Sequence, residues 1–467
     1  MPEREPNRLF RGQWDAFAIA SVVLLALSIS MGGASRDHAL RVALVELAGL
    51  PLLVIAGRRL IVTGAWREHR FALGLAGALA VIPLIQSIPL PPVVWTALPG
   101  RDQMVLALNL AGLQPGWSAM SLAPDATWRS MLALTPPIAM FLGVLTAPPE
   151  LRARLIRFCL VAAMVSMLLG AAQLASGGER LYPWATTSAG SINGFFANRN
   201  HLATLILSMV PFAMVIGAGS LRRRDQSKLP LWLTSLFVGL TVIVLAAIRS
   251  RAGIVLFAPV TVISLVAAWI ATGRGRPSRA LLVLIGVTGA ALTAVVSLAL
   301  PPILARFETE GATDGRFDRW PVVAEAAESY LPLGSGMGSF DAVYRSVEPL
   351  GQLDETFFNQ AHNEYLETWL EAGWLGAGLI GAFLIWFGLR ASAAWRARPS
   401  WGRDLERAST VGILAVLLHS AGDYPLRTVS MAVVFAILCG ILEFAGQIDA
   451  EPDDPQRQRR RVRRERA

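Results

Sequence analysis

Cysteine is almost absent from this sequence: Cys159 and Cys439 are the only two, and both fall inside long apolar runs. That excludes a disulfide framework and any zinc site built on cysteine. No His-Glu-x-x-His motif or other paired-histidine spacing occurs, so there is no metal-ligand signature. Charge is scarce too, with 16% of 467 residues charged against 54% hydrophobic and a mean hydropathy of +0.49. Apolar runs long enough to cross a bilayer recur along nearly the whole chain, which excludes one large soluble core. There is no internal repeat, and no low-complexity segment apart from a basic tail. A small-residue cleavage site is missing after MPEREPNRLFRGQW, so the first apolar run, Phe17 to Ser30, is expected to remain as a helix.

What is present reads as an all-α polytopic membrane protein. Splitting the apolar runs at charged or Pro/Gly-rich breaks predicts about twelve spans, near 15–32, 40–57, 71–88, 131–147, 155–176, 201–219, 231–248, 252–272, 280–300, 365–390, 408–421 and 427–446. The net charge of +9 and pI near 10.5 could signal nucleic acid, but Lys and Arg sit in short clusters between spans. These are Arg58, Arg59, Arg67 and Arg70, then Arg152, Arg154 and Arg157, then Arg222 to Arg224 and Lys228, then Arg274, Arg276 and Arg279, then Arg390, Arg396, Arg398 and Arg403. The positive-inside rule puts these alternate connections, and both termini, in the cytoplasm. The tail QRQRRRVRRERA suits anionic lipid heads on that side, and no nucleic-acid partner is expected. The expected organisation is a membrane bundle over 1–300, an outer loop with short helices over 301–363, three last spans over 364–446 and a basic tail over 447–467.

The outward segments carry the polar chemistry. GFFANRNHLA brings Asn198, Arg199, Asn200 and His201 to the start of an apolar helix. Facing lipid, an arginine at mid-span costs roughly 2.5–3.5 kcal/mol. Two readings stand: these groups line a wet cavity, or the asparagines cap the helix while Arg199 snorkels. In IRSRAGIVLF, Arg249 and Arg251 occupy an outward turn where the positive-inside bias predicts few arginines. They form an anion site or snorkel from helix ends; a guanidinium fork matches phosphate oxygens. In the long outer loop, GRFDRWPVVAEAAESY has helical apolar spacing, and its Arg316 and Arg319 either hold an anionic substrate or decorate a solvated face. The following PLGSGMGSF superficially resembles a nucleotide-binding loop, but no strand precedes it and it lies on the outer side, so nucleotide binding is rejected. The loop is expected to cap the cavity.

The loop closes on FFNQAHNEYLETWLEAGWLG, where His362, Asn363 and Glu364 meet the mouth of a span. An imidazole titrating near neutrality can take a proton from a sugar hydroxyl, and a carboxylate can orient it. A structural histidine is the alternative. Glu367 and Glu371 follow at helical spacing as a polar face turned toward the bundle. Asp423 and Arg427 flank the last outward turn, where Asp423 either pairs with an arginine or caps a helix.

Arginines and a histidine on separate outer segments suit a site that holds a pyrophosphate and deprotonates a hydroxyl. A donor on the outer face points to a lipid-linked sugar pyrophosphate, with one displacement inverting the anomeric centre.

The chain resembles the bacterial O-antigen ligase and polymerase superfamily in GFFANRN, SRAG, RFDRW, PLGSGMG, HNEYL and GWLG, with SLAPDATW and DYPL similar in character. The resemblance runs from about Ser121 to the last span. It implies a GT-C-type, metal-independent glycosyltransferase of the bacterial inner membrane, with its site on the periplasmic side and no cofactor. It also implies an undecaprenyl-pyrophosphate-linked donor. The family's functional arginines and loop histidine map onto Arg199, Arg251 and His362 as catalytic residues. Asn198, Asn200, Arg249, Arg316, Arg319, Asn363 and Glu364 are the expected substrate-binding residues. A ligase, transferring the glycan to lipid A-core, ranks first. A polymerase with a lipid-linked glycan acceptor shares the donor and ranks second. A transporter of lipid-linked glycans is the third reading, against which stand span interiors nearly free of charge and the lack of repeats.

Overall fold

The computed structural model describes residues 11–33, 39–177, 181–182, 191–222, 228–248, 250–273, 315–353 and 358–445, with scattered positions between 282 and 297. Helices are numbered here in chain order among those residues. The membrane part comprises α1 (Arg11–Met31), α2 (Ala39–Thr63), α3 (Arg70–Gln86), the pair α6 (Pro124–Ala133) and α7 (Thr135–Thr146), α8 (Pro149–Ala175), α9 (Arg199–Arg222), α10 (Leu229–Ile248) and α11 (Arg251–Ala271). It is completed by α14 (Glu364–Arg396), α15 (Trp401–Ser420) and α16 (Val429–Leu442). Between them, α4 (Pro92–Trp95), α5 (Asp102–Leu110), α12 (Gly315–Ser329) and α13 (Phe340–Val347) lie in connections on one face.

Among the described residues, seven helical stretches are long and apolar enough to cross a membrane, and three shorter apolar helices accompany them. The structure therefore supports an all-α polytopic bundle without establishing twelve spans. The expected span near 408–421 lies inside α15, whose first two turns carry Arg403, Asp404, Glu406 and Arg407. The span expected at 280–300 lies outside the described residues apart from scattered positions, as do residues 301–314 and the basic tail.

The core is built around α9. Its apolar window is 94% buried, against 22–44% for the other long spans, because α8, α10, α11 and α15 all pack against it. A helix apolar on every side is what such an enclosed position requires. The face opposite the outer connections is pinned by charge pairs. Glu443 accepts from Arg390 (2.8 Å) and from the Trp386 indole (2.7 Å), and its Oε1 lies 3.2 Å from His69 Nδ1. Arg407 pairs with Asp404 at 2.9 Å and Arg403 with Glu406 at 3.0 Å.

On the outer face α12 and α13 form a cap with its own small core, in which Val323, Phe340, Tyr344, Phe358 and Leu370 are buried together. The glycine-rich turn joins this cap to the membrane part through a break in α14. Gly373 has φ 52° and ψ −138°, so the helix stops hydrogen-bonding to itself there and leaves carbonyls bare. The Leu370 carbonyl accepts from Ser335 N, and the Glu371 carbonyl from Gly336 N and from the Gln86 amide, each at 2.9 Å. Trp374 N returns a bond to Pro332 O at 2.9 Å, and Gln86 Oε1 accepts from Met337 N at 2.9 Å. Backbone must approach backbone for this, which is why the turn is glycine. A Cβ on Gly334 (φ 83°) would lie 2.4 Å from the Glu371 oxygen.

Gly334→Ala is expected to destabilise the protein by about 2 kcal/mol or more, from the left-handed backbone plus the clash. Gly351→Ala, whose Cβ meets nothing within 4 Å, is the control. Thermal unfolding in detergent should separate the two variants clearly.

Candidate active site

The site forms where the head of α9, the entrance to α14 and the turn before α16 meet. The chain reaches α9 through a buried segment held by α8. Gln173 Oε1 accepts from Gly194 N at 2.9 Å, Ser166 Oγ accepts from Phe195 N at 3.1 Å, and Gly33 O accepts from Ala197 N at 2.8 Å. Asn198 then caps the helix, its Oδ1 accepting from Asn200 N at 2.9 Å. Asn200 and His201 consequently point from the first turn of α9 at Asp423. Asn200 Nδ2 donates to Asp423 Oδ2 at 2.5 Å, and His201 Nε2 lies 3.6 Å from Oδ1.

His362 approaches the same carboxylate from the cap. Its flanks are clamped: Trp320 Nε1 donates to Ala361 O at 2.9 Å, Glu367 Oε2 accepts from Ala361 N at 2.9 Å, and Asn363 Oδ1 caps α14 by accepting from Tyr365 N and Leu366 N at 3.1 Å. Between these anchors His362 is held at φ 52°, a left-handed conformation that costs a non-glycine residue roughly 1–3 kcal/mol. Its Nδ1 lies 3.8 Å from Asp423 Oδ1, and 13% of its side chain remains exposed. The Tyr424 ring stands edge-on between the two histidines, 5.1 Å from His201 and 4.9 Å from His362. Arg316 covers the site from α12, its Nη1 3.7 Å from Asp423 Oδ2 and its side chain 35% exposed.

The electrostatics follow from burial and charge. Burial alone would raise the Asp423 carboxyl, but His201 and His362 outweigh it and hold the group well below the usual carboxylate range. Burial lowers the His362 pKa and Arg316 lowers it further, with Asp423 pulling the other way. Tyr424 is pushed up to about 12 by burial and by the Asp423 charge, so its hydroxyl stays protonated. The result is an ionised carboxylate beneath a neutral imidazole.

The acidic residues at the mouth of α14 answer to Arg427, four residues beyond Asp423. Arg427 Nη1 lies 2.8 Å from Glu371 Oε2 and 3.4 Å from Glu367 Oε1, while Glu364 Oε1 accepts from Leu426 N at 2.6 Å. Burial by itself would lower the Arg427 pKa, and the three carboxylates raise it instead. The expected polar face turned toward the bundle thus has a specific counter-ion.

Of the residues expected at the site, Asn200, Arg316 and His362 come together around Asp423. Asn198 holds the helix start beneath them. Arg199 and Arg251 head α9 and α11, which pack tightly against each other, and Ser250 caps α11 by accepting from Gly253 N at 3.1 Å. Both arginines are half-buried on the site face. Arg319 donates to Gln352 O at 3.1 Å and stacks over Phe358 at 4.9 Å, so it braces the cap. Asn363 and Glu364 are engaged with backbone amides of α14 and of the turn before α16. Arg249 lies outside the described residues. His201, Asp423 and Tyr424 were not among the expected site residues. The signal for Asp423 and Tyr424 was the polar run HSAGDYPLR between two apolar helices, and for His201 it was the run GFFANRNHLA at the head of α9.

Residues 236–381 match the family model described as O-antigen ligase. The match supports the resemblance to the O-antigen ligase and polymerase superfamily. The matched stretch runs from α10 through the first half of α14 and includes Arg251, Arg316 and His362, while Arg199, His201 and Asp423 lie outside it. No curated protein matches the chain.

Arg427→Met should leave three buried carboxylates without a counter-ion and destabilise the protein by about 3–5 kcal/mol. Adding Glu371→Gln to that background should recover part of the loss. A thermal-unfolding double-mutant cycle measures the coupling.

Proposed function

We propose that the protein is an O-antigen ligase-like glycosyltransferase that moves a glycan from undecaprenyl pyrophosphate to lipid A-core at the periplasmic face of the bacterial inner membrane. The observation that carries this reading is the convergence of His362 on buried Asp423 beneath Arg316, at the face where Arg199 and Arg251 head two packed helices. The basic clusters of the described chain lie toward the other face, which the positive-inside rule makes cytoplasmic.

In the proposed reaction Asp423 faces His362 Nδ1, favouring the tautomer with its proton there and leaving Nε2 as the base. The 3.8 Å separation is longer than a hydrogen bond, as is common before substrates bind. Nε2 takes the proton of an acceptor hydroxyl as its oxygen attacks the anomeric carbon. The bond from that carbon to the pyrophosphate oxygen breaks, and inversion follows from the single displacement. Arg316, Arg199 and Arg251 neutralise charge gathering on the departing polyprenyl pyrophosphate. The imidazolium that remains is stabilised by Asp423 until its proton passes to water. No step in this scheme calls on a metal or cofactor.

Transfer should be assayed with purified protein, an undecaprenyl-pyrophosphate oligosaccharide, and lipid A-core and a second lipid-linked unit offered in parallel. Product on lipid A-core that His362→Ala abolishes is the expected result. A ladder on the lipid carrier would make the protein a polymerase, and intact donor binding with no transfer would favour transport.

The pH profile tests the base. Only neutral His362 is active, so the rate should hold at high pH and fall as pH drops through the His362 pKa, which burial sets below its ordinary 6.5. Asp423→Asn removes a group that raises that pKa, so the acid limb should move to lower pH while kcat falls by on the order of 10²–10⁴.

A further inference from the structure

The outer connection between α3 and α6 differs in character from the cap. From Ser87 to Pro124 only Arg101 and Asp102 carry charge, whereas α12 has five charged residues in fifteen. Arg101 is buried: it donates to the carbonyls of Pro99 (3.1 Å) and Met120 (2.6 Å), and its guanidinium lies 5.6 Å from the Tyr330 ring centre. Asp102 is therefore the one charge that this connection presents to its surroundings. What it exposes instead is apolar, namely Ile88, Val93 (84% exposed), Leu106, Leu110 (81%), Leu113 and Trp117 (70%). Single exposed apolar residues are ordinary, but a run of large ones with so little charge marks an interaction surface.

Poor local folding does not explain this exposure. Pro89 and Leu90 pair with Ala119 and Ser118, and buried Trp95 donates to Gly116 O at 2.7 Å. Gly112, at φ 70°, ends α5 in a tight turn in which Leu113 N returns to Leu108 O at 2.9 Å. Leu106 and Leu110 stand one helical turn apart on the face of α5 that this frame leaves uncovered.

Position identifies the partner. Gln86, the last residue of α3, donates to the Glu371 carbonyl at the break in α14 and accepts Ser121 N on its own carbonyl, each at 2.9 Å. The connection thus leaves and returns at one level, the outer end of the α3 span. With nine residues, α5 is roughly 14 Å long at the helical rise, so its apolar face stays close to that level. The polar zone outside a ~30 Å hydrocarbon core is itself only about 5–8 Å deep. Exposed Leu84 and Ile85 belong to the lipid-facing surface of α3, and Ile88 and Val93 continue it past the helix end. A protein partner is met by a polar rim, which this surface lacks; Leu and Trp on a short helix suit the boundary between headgroups and acyl chains.

We propose that residues 88–117 form a plate seated on the outer leaflet, with phospholipid as its partner and Val93, Leu106, Leu110 and Trp117 immersed just beneath the headgroups. The plate is bonded to the cap. Leu122 N donates to Ser335 O and Thr127 Oγ1 to Met337 O, both at 2.8 Å, and Gly100 leaves no room for a Cβ beside Tyr330, the residue that follows α12. Arg316 stands at the opposite end of α12. The seat therefore sets the height above the bilayer at which the cap and Arg316 are held. It does not depend on the transferase reading, and immersion can be measured without turnover.

The test uses the full chain in phospholipid nanodiscs with a nitroxide at one added cysteine: Val93→Cys, Leu110→Cys or Trp117→Cys. Glu325→Cys, exposed on the cap, is the water reference, and Val54→Cys, exposed on α2, is the lipid reference. Cys159 and Cys439 are buried, and the labelled wild type is the blank. Collisions with oxygen, which concentrates in lipid, are compared with collisions with a water-soluble nickel chelate. At all three plate positions the oxygen-to-chelate ratio should exceed that at Glu325 by roughly 5-fold or more and approach that at Val54. A second measurement needs no label. The fluorescence lost in Trp117→Phe should be quenched by phospholipids brominated near the headgroup end of the acyl chain more than by those brominated at its tip.

Ratios like that at Glu325, or no quenching of Trp117 at any bromine depth, would overturn the seat and leave the surface in water. Positions shielded from both oxygen and chelate would also overturn it, giving the surface to a protein partner. Spin–spin broadening at Leu110→Cys would identify that partner as a second copy of the chain.

Discussion

A buried carboxylate must be paired or it cannot stay buried, and Asp423 is the charge around which the outer face is arranged. It gathers groups from three distant parts of the chain: Asn200 and His201 from the head of α9, His362 from the entrance to α14, and Arg316 from the cap. Arg427, one helical turn later in sequence, performs the reciprocal task for the acidic face of α14. The five residues from Asp423 to Arg427 thus carry opposite charges to two neighbouring structures. They fix how α9, α14 and the cap stand relative to one another, and that relation is what gives His362 its setting.

Much of the architecture was legible from hydropathy and charge, because bilayer thickness and the positive-inside bias act on local composition. The spans over α2, α8, α10 and α11 appear close to where their apolar runs end. His362 stood out because a titratable group at the mouth of a span is unusual in so apolar a chain. Asp423 and His201 were not legible in the same way. Their meeting joins positions more than 200 residues apart, and it depends on how helices pack, which a one-dimensional pattern does not encode. Asn363 shows the opposite problem: its position beside His362 suggested substrate, while its carbonyl is engaged at the start of the helix. The residue type favoured both readings, and the local backbone selected one.

The glycines of PLGSGMG illustrate a similar ambiguity. A run of alternating glycines suits any place where backbone must come very close to another group, whether a phosphate or a second backbone. Rejecting the nucleotide reading rested on the absence of a preceding strand and on the loop's place on the outer side. Finding the true partner required Gly373, whose left-handed backbone opens α14 and leaves the carbonyls on which the turn docks.

That opening also divides α14 into two parts with different surroundings. Beyond it, Trp374 to Arg396 is 23 residues long by itself, about 34 Å at the helical rise, which is enough to traverse the hydrocarbon layer. Exposed Trp374 packs edge-on against Trp369 at 4.6 Å, as aromatic residues do at a membrane–water boundary. The segment from Glu364 to Ala372 therefore belongs to the headgroup zone rather than to the membrane interior. During synthesis the insertion machinery would meet an apolar stretch that begins after the last of the three glutamates, and would have no acidic group to draw through lipid.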